Sequence, residues 1–184
     1  MSLSELARVY DRCYDHDNYH LQGARLARVT LDVEAIPKGS TYLDVACGRG
    51  EMVALARSRG VHAQGLEFVP KLCENGVLYG DMLSLPFGDA TVDYVSCYDA
   101  VEHLEPETVD RALDELFRVA RRVLCITTND KSSMLNGLQL HLTREPREWW
   151  ERKLADRGLL RNATITPGTY GRDEWHWRIE FLAD

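Results

Sequence analysis

Two glycines and three acidic residues have the spacing of a ligand-binding loop in an α/β protein. Gly48 and Gly50 directly follow an apolar run, and Asp44 precedes Gly48 in the pattern D-x-x-x-G-x-G. Because glycine has no Cβ, the backbone can turn sharply at these positions and come close to a ligand. Glu67 and Asp81 end two later apolar stretches. Acidic residues at the ends of successive parallel strands lie at the edge of the sheet where ligands bind.

The chemistry of this loop favours a cationic, adenosine-containing ligand over a dinucleotide. A dinucleotide-binding loop has the pattern G-x-G-x-x-G, but Val53 stands where the third glycine belongs. The Asp44 carboxylate would repel a diphosphate, whereas it would attract an ammonium group such as that of S-adenosylmethionine. Glu67 follows Gly48 at about the twenty-residue spacing of acids that bind ribose hydroxyls. These residues therefore predict a site for S-adenosylmethionine.

The elements that would position these residues alternate along the chain. Apolar residues recur at helical spacing in the first part of the chain until Pro37 and Gly39, which indicates N-terminal helices. Strand and helix patterns then alternate, which is typical of parallel strands covered by helices on both faces. The segment "VPKLCENG" after Glu67 is too short and too rich in glycine and proline for a full crossover helix.

The end of the chain breaks the alternation. We expect a helix over about 146–157, closed by Gly158, and then a strand that reaches a turn at Pro167 and Gly168. A final strand follows in "EWHWRIEFLAD", where apolar and polar residues alternate. Two strands joined by a turn are antiparallel, so the sequence predicts an antiparallel last strand in a mostly parallel sheet.

Length, charge and apolar content are those of one soluble domain. We place a single domain at 1–184, with helices covering the site in 1–39 and the α/β core in 40–184. The formal net charge of −7 opposes binding to nucleic acid, because a polyanion would be repelled. No apolar stretch reaches the length of a membrane span, and the stretch "MSLSELARVYDRCYDHD" carries charges where a signal peptide needs an apolar core. We expect a cytoplasmic monomer or homodimer that acts on a small molecule.

The five cysteines favour buried thiols over a metal site. They are odd in number, far apart and without a CxxC pair or the Cys/His spacing of a zinc site. This spacing predicts reduced thiols in the cytoplasm and no bound metal. The cysteines are Cys13, Cys47, Cys73, Cys97 and Cys125.

Four segments, in their order and spacing, resemble the class I S-adenosylmethionine-dependent methyltransferases. They are "LDVACGRGEM", "GLEFVP", "YGDMLSLPFGDATVDYVSCYDAVEHL" and "LFRVARRVLCITT", within about 41–128. The resemblance implies a three-layer Rossmann-like fold with a seven-stranded sheet. It also implies that the loop glycines pass the methionine part of the cofactor, that Glu67 binds the ribose and that Phe68, Asp81 and Met82 surround the adenine. The cofactor-binding candidates are Asp44, Ala46, Gly48, Gly50, Glu67, Phe68, Asp81, Met82 and Tyr98.

Methyl transfer from a sulfonium mainly requires the protein to position the acceptor. A hydroxyl acceptor must also lose a proton, and His103 and His141 are the candidate bases because neutral imidazole accepts a proton near pH 7. Asp99, which ends a strand of the matched region, is a third candidate base or an orienting group. An amine acceptor could react by positioning alone. Each histidine could also have a purely structural role.

The acceptor itself is less well indicated by the sequence. No "NPPY" or "DPPY" pattern follows the fourth strand, where "CYDA" stands, so adenine or glutamine methylation of that kind is disfavoured. A small molecule with a hydroxyl or amine, such as a sugar, is the favoured acceptor, and Tyr14, Tyr19 and Trp149 are the candidates for contacting it. Two alternatives stay open at this point: a non-catalytic S-adenosylmethionine-binding regulatory module and a nucleotide-dependent oxidoreductase.

Overall fold

Helices and strands alternate along most of the chain. The computed structural model describes residues 3–15, 23–135, 137–169 and 174–182. The elements are α1 (Leu3–Cys13), α2 (Gly23–Glu34), β1 (Thr41–Val45), α3 (Glu51–Ser58), β2 (His62–Glu67), β3 (Val77–Tyr79), β4 (Val92–Tyr98), α4 (Pro106–Val119), β5 (Ala120–Asn129), β6 (Met134–Leu135), β7 (Leu138–Gln139), α5 (Arg147–Leu160), β8 (Ala163–Thr169) and β9 (Glu174–Phe181).

Seven of the strands form one twisted sheet in the order β3-β2-β1-β4-β5-β9-β8. The pairs among β1 to β5 are parallel, whereas β9 is antiparallel to both β5 and β8. The last strand is therefore the antiparallel one, which confirms the prediction from the alternating "EWHWRIEFLAD". The short strands β6 and β7 pair with each other outside this sheet.

Helices cover both faces of the sheet because each presents one apolar stripe to it. On one face α4 buries Val109, Leu113 and Leu116, and α5 buries Trp150 against the same cluster. On the other face Val29 and Val33 of α2 and Val53 and Ala56 of α3 pack against the sheet. Strands between two such layers must be apolar on both sides, as the continuous burial of β4 and β5 shows. The predicted three-layer fold is confirmed.

The predicted turn at Pro167 and Gly168 is wrong. Both residues lie inside β8, where they pair with Trp177 and His176 of β9. The strand tolerates the proline because β8 is at the edge of the sheet, where one side of the backbone needs no partner. The pairing of β8 with β9 therefore overrides the local preference of Pro-Gly for a turn.

Gly158 also has a role other than the predicted one. It lies within α5, which continues to Leu160, and does not close the helix. A Cβ at this position would come within 2.9 Å of the Ile165 side chain, so the glycine lets α5 approach β8 closely.

The connection from β2 to β3 is as short as the sequence predicts. It contains only a single 3₁₀ turn, Pro70–Leu72, in place of a crossover helix. All five cysteines are free thiols; Cys13, Cys97 and Cys125 are buried, and Cys47 and Cys73 are half-buried. Among the described helices, none combines the length and the apolar character that crossing a bilayer requires.

Candidate functional site

The strand order reverses between β1 and β4, and a crevice opens at the carboxyl ends of these two neighbours. In open α/β sheets this reversal is where ligands bind, because the loops after the two strands leave in opposite directions. Ala46 and Asp99, the residues that follow β1 and β4, have left-handed φ angles of 58° and 48°. This conformation is strained for a residue with a Cβ, and such strain clusters at functional sites.

The larger of two adjoining cavities lies in this crevice and has a volume of about 420 Å³. The strand ends contribute Asp44, Tyr98 and Asp99, and the loop after β1 contributes Ala46 and Gly48. Opposite them, His103 and His141 come from the segments that follow β4 and β7. All three candidate catalytic residues of the sequence are therefore brought to one cavity.

The smaller cavity, of about 90 Å³, lies beside the end of β2. Glu67, Phe68, Asp81 and Met82 line it, as the expected adenosine side of the site requires. The two cavities share four lining residues, which makes them two parts of one site: Tyr14, Ala46, Asp99 and His103. Gly50 is the exception among the cofactor-binding candidates, because it lines neither cavity and lies instead at the N-terminal end of α3 with φ 73°.

Gly48 makes room for a close approach to the backbone. Its φ of 54° is in the left-handed region, and a Cβ added there would lie 2.8 Å from the Tyr14 hydroxyl. Tyr14 follows α1 and lines both cavities. The gap between this tyrosine and the loop therefore exists only because residue 48 has no side chain.

Glu67 is almost fully buried, with 2% of its surface exposed, and it accepts hydrogen bonds from three backbone N–H groups in two segments. Oε2 accepts a hydrogen bond from the Gly48 N–H at 2.9 Å, and Oε1 accepts from the N–H groups of Phe68 and Val69. Burial raises the pKa of this carboxyl, and the hydrogen bonds from the three N–H groups oppose that rise. A carboxylate can accept about four hydrogen bonds, so capacity remains for a ligand hydroxyl.

Asp44 lies in the floor of the larger cavity and is held by a chain of hydroxyls. The Ser96 hydroxyl donates to Asp44 Oδ1 at 2.6 Å, and the Tyr42 hydroxyl is 2.7 Å from that of Ser96. Burial raises the pKa of Asp44 to about 7, although the hydrogen bond from Ser96 works against the rise. A cation bound in the cavity, such as an ammonium group next to this carboxylate, would favour the ionised form of Asp44.

Asp99 forms an ion pair that sequence reasoning missed. Arg25 of α2 donates to Asp99 Oδ2 at 2.9 Å, and the Thr127 hydroxyl donates to Oδ1 at 3.2 Å. Glu174 of β9 lies 3.7 Å from Arg25 and 3.1 Å from Lys131, so charges from four segments line this wall. Burial raises the pKa of Asp99, and the positive charge of Arg25 lowers it. Nothing in the local sequence could have paired residues so far apart.

His103 and His141 are in direct contact, with ring centroids 4.6 Å apart and planes at 90°. His103 Nδ1 is 3.1 Å from the Leu140 carbonyl and also contacts the Tyr10 hydroxyl, and His141 Nδ1 is 2.8 Å from the Lys131 carbonyl. Burial, with a smaller contribution from the neighbouring His141, lowers the pKa of His103 to about 3. Burial also lowers the pKa of His141. Both rings are therefore neutral at pH 7, and His103 is a weak base.

The three candidates for contacting the acceptor have different positions. Tyr14 lines both cavities, as described above. Trp149 lines neither, because it packs on α5 against Trp150, and the Lys153 ammonium lies 4.4 Å from the centre of its ring. Tyr19 lies outside the described residues. Of the two that the structure describes, Tyr14 lies at the site and Trp149 does not.

Comparison with known proteins finds a methyltransferase domain in this chain. Residues 43–123 match the family model of a methyltransferase domain. Demethylmenaquinone methyltransferase of Staphylococcus aureus is 28% identical over 67% of this chain and 57% of its own length. The chain thus spans less than two thirds of that relative.

Two solved structures share the fold. Magnesium protoporphyrin IX methyltransferase from Synechocystis PCC 6803, crystallised with bound S-adenosylmethionine, superimposes with a TM-score of 0.70 at 15% identity, covering 99% of this chain and 98% of that one. A S-adenosylmethionine-dependent methyltransferase from Aquifex aeolicus has a TM-score of 0.62 at 19% identity, with coverage of 99% and 100%. At these identities the similarity shows the fold.

Proposed function

We propose that the chain, whose residues 43–123 match a methyltransferase domain, is a class I S-adenosylmethionine-dependent methyltransferase that transfers a methyl group to a hydroxyl or amine of a small molecule. The observation that carries this proposal is the arrangement of the two joined cavities. The predicted cofactor-binding residues other than Gly50 line one cavity or the other, and the candidate catalytic residues Asp99, His103 and His141 all line the larger one. A cofactor and an acceptor would meet between them.

The residues of the site fit the cofactor of this family, which supplies a methyl group activated by the positive sulfur. Asp44 would face the ammonium group, and the bare backbone at Gly48 would admit the methionine part. Glu67 would accept a ribose hydroxyl with its remaining capacity, next to the Phe68 and Met82 side chains at the adenine end. The cavity at the adenine end has a volume of about 90 Å³, and α1 contributes Leu6 and Tyr10 to its wall.

The larger cavity has the size of a small-molecule site. Its volume of about 420 Å³ lies within the range of roughly 300–1,000 Å³ typical of such sites. Its outer wall is polar and includes Lys131, Ser132 and Ser133. The curated relative and the Synechocystis structure are both named for small-molecule acceptors, which supports the same substrate class. The protein would hold the acceptor atom about 3 Å from the methyl carbon, in line with the leaving sulfur.

Asp99, His103 and His141, the three catalytic candidates, form what we call the acceptor-facing wall. We assign to this wall the role of orienting the acceptor, and proton removal would be secondary. A pKa of about 3 makes His103 a poor proton acceptor, and Asp99 is already paired with Arg25. An amine acceptor would need only to be oriented by this wall. A hydroxyl acceptor would also need something that lowers the pKa of its hydroxyl.

Binding and turnover measurements test the proposal and separate it from its alternatives. We expect S-adenosylhomocysteine to raise the melting temperature and NAD or NADP to leave it unchanged. Acceptor-dependent formation of S-adenosylhomocysteine from S-adenosylmethionine, measured across a panel of small hydroxyl and amine compounds, would distinguish an enzyme from a binding module. Stabilisation by a nicotinamide nucleotide but not by S-adenosylhomocysteine would overturn the proposal.

A further inference from the structure

Three side chains that metals favour lie together at the inner end of the acceptor-facing wall. They are Glu102 and His103, in the 3₁₀ turn Val101–His103 after β4, and His141, in the segment after β7. A carboxylate oxygen of Glu102 and one ring nitrogen of each histidine all lie within 4.8 Å of one another. The Thr143 N–H donates to the Glu102 carbonyl, which fastens the two segments to each other. The cluster is thus held in place by backbone contacts.

The Glu102 carboxylate lacks a partner that its burial demands. The residue is fully buried. Its Oε1 accepts a hydrogen bond from the Asn129 amide at 2.9 Å, whereas its Oε2 meets no partner in good hydrogen-bond geometry among the described residues; the Thr128 hydroxyl interacts with this carboxyl but is itself left without a well-formed hydrogen bond. A buried carboxylate oxygen is normally hydrogen-bonded, paired with a cation or bound to a metal. A cation next to the two histidines would satisfy it.

The hydrogen bond of His141 prepares its ring for a cation. A backbone carbonyl only accepts, so the Nδ1 of His141 carries its hydrogen to donate to Lys131, which leaves the Nε2 lone pair of this ring available. Metal-bound histidines nearly always donate their other N–H to a carbonyl or carboxylate in this way. His103 contacts the Leu140 carbonyl and the Tyr10 hydroxyl through Nδ1 and also hydrogen-bonds the Asp99 backbone, a contact that a bound ion would replace. The outer contact of a metal site is therefore present at His141.

We propose that Glu102, His103 and His141 bind a divalent transition-metal ion whose open positions face the larger cavity. Two imidazole nitrogens and one carboxylate suit Zn²⁺ or Fe²⁺ better than Mg²⁺ or Ca²⁺, which prefer oxygen ligands alone. This site is independent of the cysteines, whose spacing gave no reason to expect a metal. Both histidines line the cavity, so an ion held by them would be reached by an acceptor bound there.

Such an ion narrows the acceptor to compounds with a hydroxyl that can bind a metal, an inference that rests on the proposed function. A cation lowers the pKa of an oxygen that it binds, so the hydroxyl proton would pass to solvent without a histidine base. The acceptor oxygen would then form its bond to the methyl carbon as the carbon–sulfur bond breaks. The electron pair of that bond stays on the sulfur, which becomes neutral.

Metal binding can be measured on the protein alone, without cofactor or acceptor. We would strip the protein with a chelator and titrate it with Zn²⁺, with Co²⁺ as a spectroscopic probe, and with Mg²⁺. We expect one equivalent of Zn²⁺ to bind, Co²⁺ to show ligand-field absorption of a site with nitrogen ligands, and Mg²⁺ to bind much more weakly. S-adenosylhomocysteine binding is measured in a separate experiment. Failure of metal binding would therefore overturn the metal site alone, and failure of S-adenosylhomocysteine binding would overturn the proposed function alone.

Variants distinguish this site from adventitious metal binding. Outer contacts of metal sites are worth about 10–100-fold in affinity, so removing a ligand in His141→Ala or Glu102→Gln should weaken Zn²⁺ binding about 100-fold or more. His62→Ala, which removes an exposed histidine of β2, should leave it unchanged. Retained S-adenosylhomocysteine binding by His141→Ala would show that this variant is folded. Equal Zn²⁺ affinity in His141→Ala and the native protein, or no stoichiometric binding of Zn²⁺ or Co²⁺, would overturn the proposal.

Discussion

The Gly48 N–H donates a 2.9 Å hydrogen bond to the Glu67 carboxylate, and this contact joins the loop after β1 to the end of β2. The two residues that the sequence singled out for different parts of one ligand are thus in contact with each other. Glu67 also accepts from Phe68 and Val69, so it fixes the backbone around the site as well as lining it. A change at either residue should therefore affect both binding and stability, in different proportions.

Replacing Gly48 with alanine should abolish tight cofactor binding. The new Cβ would lie 2.8 Å from the Tyr14 hydroxyl, at a left-handed backbone position that costs about 1–2 kcal/mol for a residue with a side chain. We expect S-adenosylhomocysteine affinity, measured by calorimetry, to fall about tenfold or more, because the methyl group fills the gap that the ligand needs.

Gly39→Ala is the matched control. Gly39 also has a positive φ, of 84°, but an added Cβ there meets nothing within 4 Å. It should lose a similar stability from backbone strain in urea unfolding and keep its affinity. Equal losses of affinity in both variants would show that strain, not access to the loop, controls binding.

Glu67→Ala should weaken both the fold and cofactor binding. It leaves the N–H groups of Gly48, Phe68 and Val69 without their buried acceptor, which should cost about 1–3 kcal/mol of unfolding free energy. Losing the ribose contacts should lower S-adenosylhomocysteine affinity about 10–100-fold. Glu74→Ala, which removes an exposed carboxylate, should change neither. If a folded Glu67→Ala protein binds the ligand with native affinity, the ribose lies elsewhere.

The affinity for S-adenosylhomocysteine should rise as pH increases through about 7. Burial raises the pKa of Asp44 to about 7, so below that pH the carboxyl is neutral and cannot attract the ligand's ammonium group. Calorimetry between pH 5.5 and 8 should show weaker binding at the acidic end, together with proton release near neutral pH. Asp44→Asn should remove this dependence. A native protein whose affinity is flat over this range would place the ammonium group away from Asp44.

The raised pKa of Asp44 should also make the stability of the ligand-free protein depend on pH. A carboxyl whose pKa is higher in the folded state than in the unfolded state favours folding while it is protonated. Its contribution is full below about pH 4, the ordinary aspartate pKa, and is lost as pH rises through about 7. Asp44→Asn should therefore gain stability relative to the native protein at pH 8, measured by urea unfolding. An equal stability difference at pH 4 and pH 8 would contradict this assignment.

The sequence predicts this fold well and places the candidate cofactor-binding residues at one edge of the sheet, because both depend on local patterns. Asp44, Gly48 and Glu67 stand at strand ends with fixed spacing, and strand alternation alone brings strand ends to one edge. The Pro-Gly pair at 167–168 misled the prediction because strand pairing with Trp177 and His176 overrides local turn preference. Local signals are reliable where tertiary contacts agree with them.

For the acceptor-facing wall, the sequence predicted individual residues but not the contacts between them. His103 and His141 were recognised by residue type, but their contact depends on how the segment after β7 folds back over the turn after β4. Arg25 and Glu174 were missed, since helix α2 and strand β9 come together only in the finished fold. Glu102 was missed because an acidic residue in "AVEHLEPE" gives no sign that it is buried.

His141→Ala should separate acceptor chemistry from cofactor binding. His141 lines the larger cavity but not the smaller one, and among the residues that the structure describes its ring contacts His103 and the Lys131 carbonyl. We expect kcat to fall about 10²–10⁴-fold while S-adenosylhomocysteine affinity stays within about twofold of native. Trp149→Ala, on a helix outside both cavities, is the control and should keep native kcat at a temperature where it is folded. If His141→Ala turns over a confirmed acceptor at the native rate, His141 does not belong to the acceptor-facing wall, and positioning must rest on Asp99 and Tyr14.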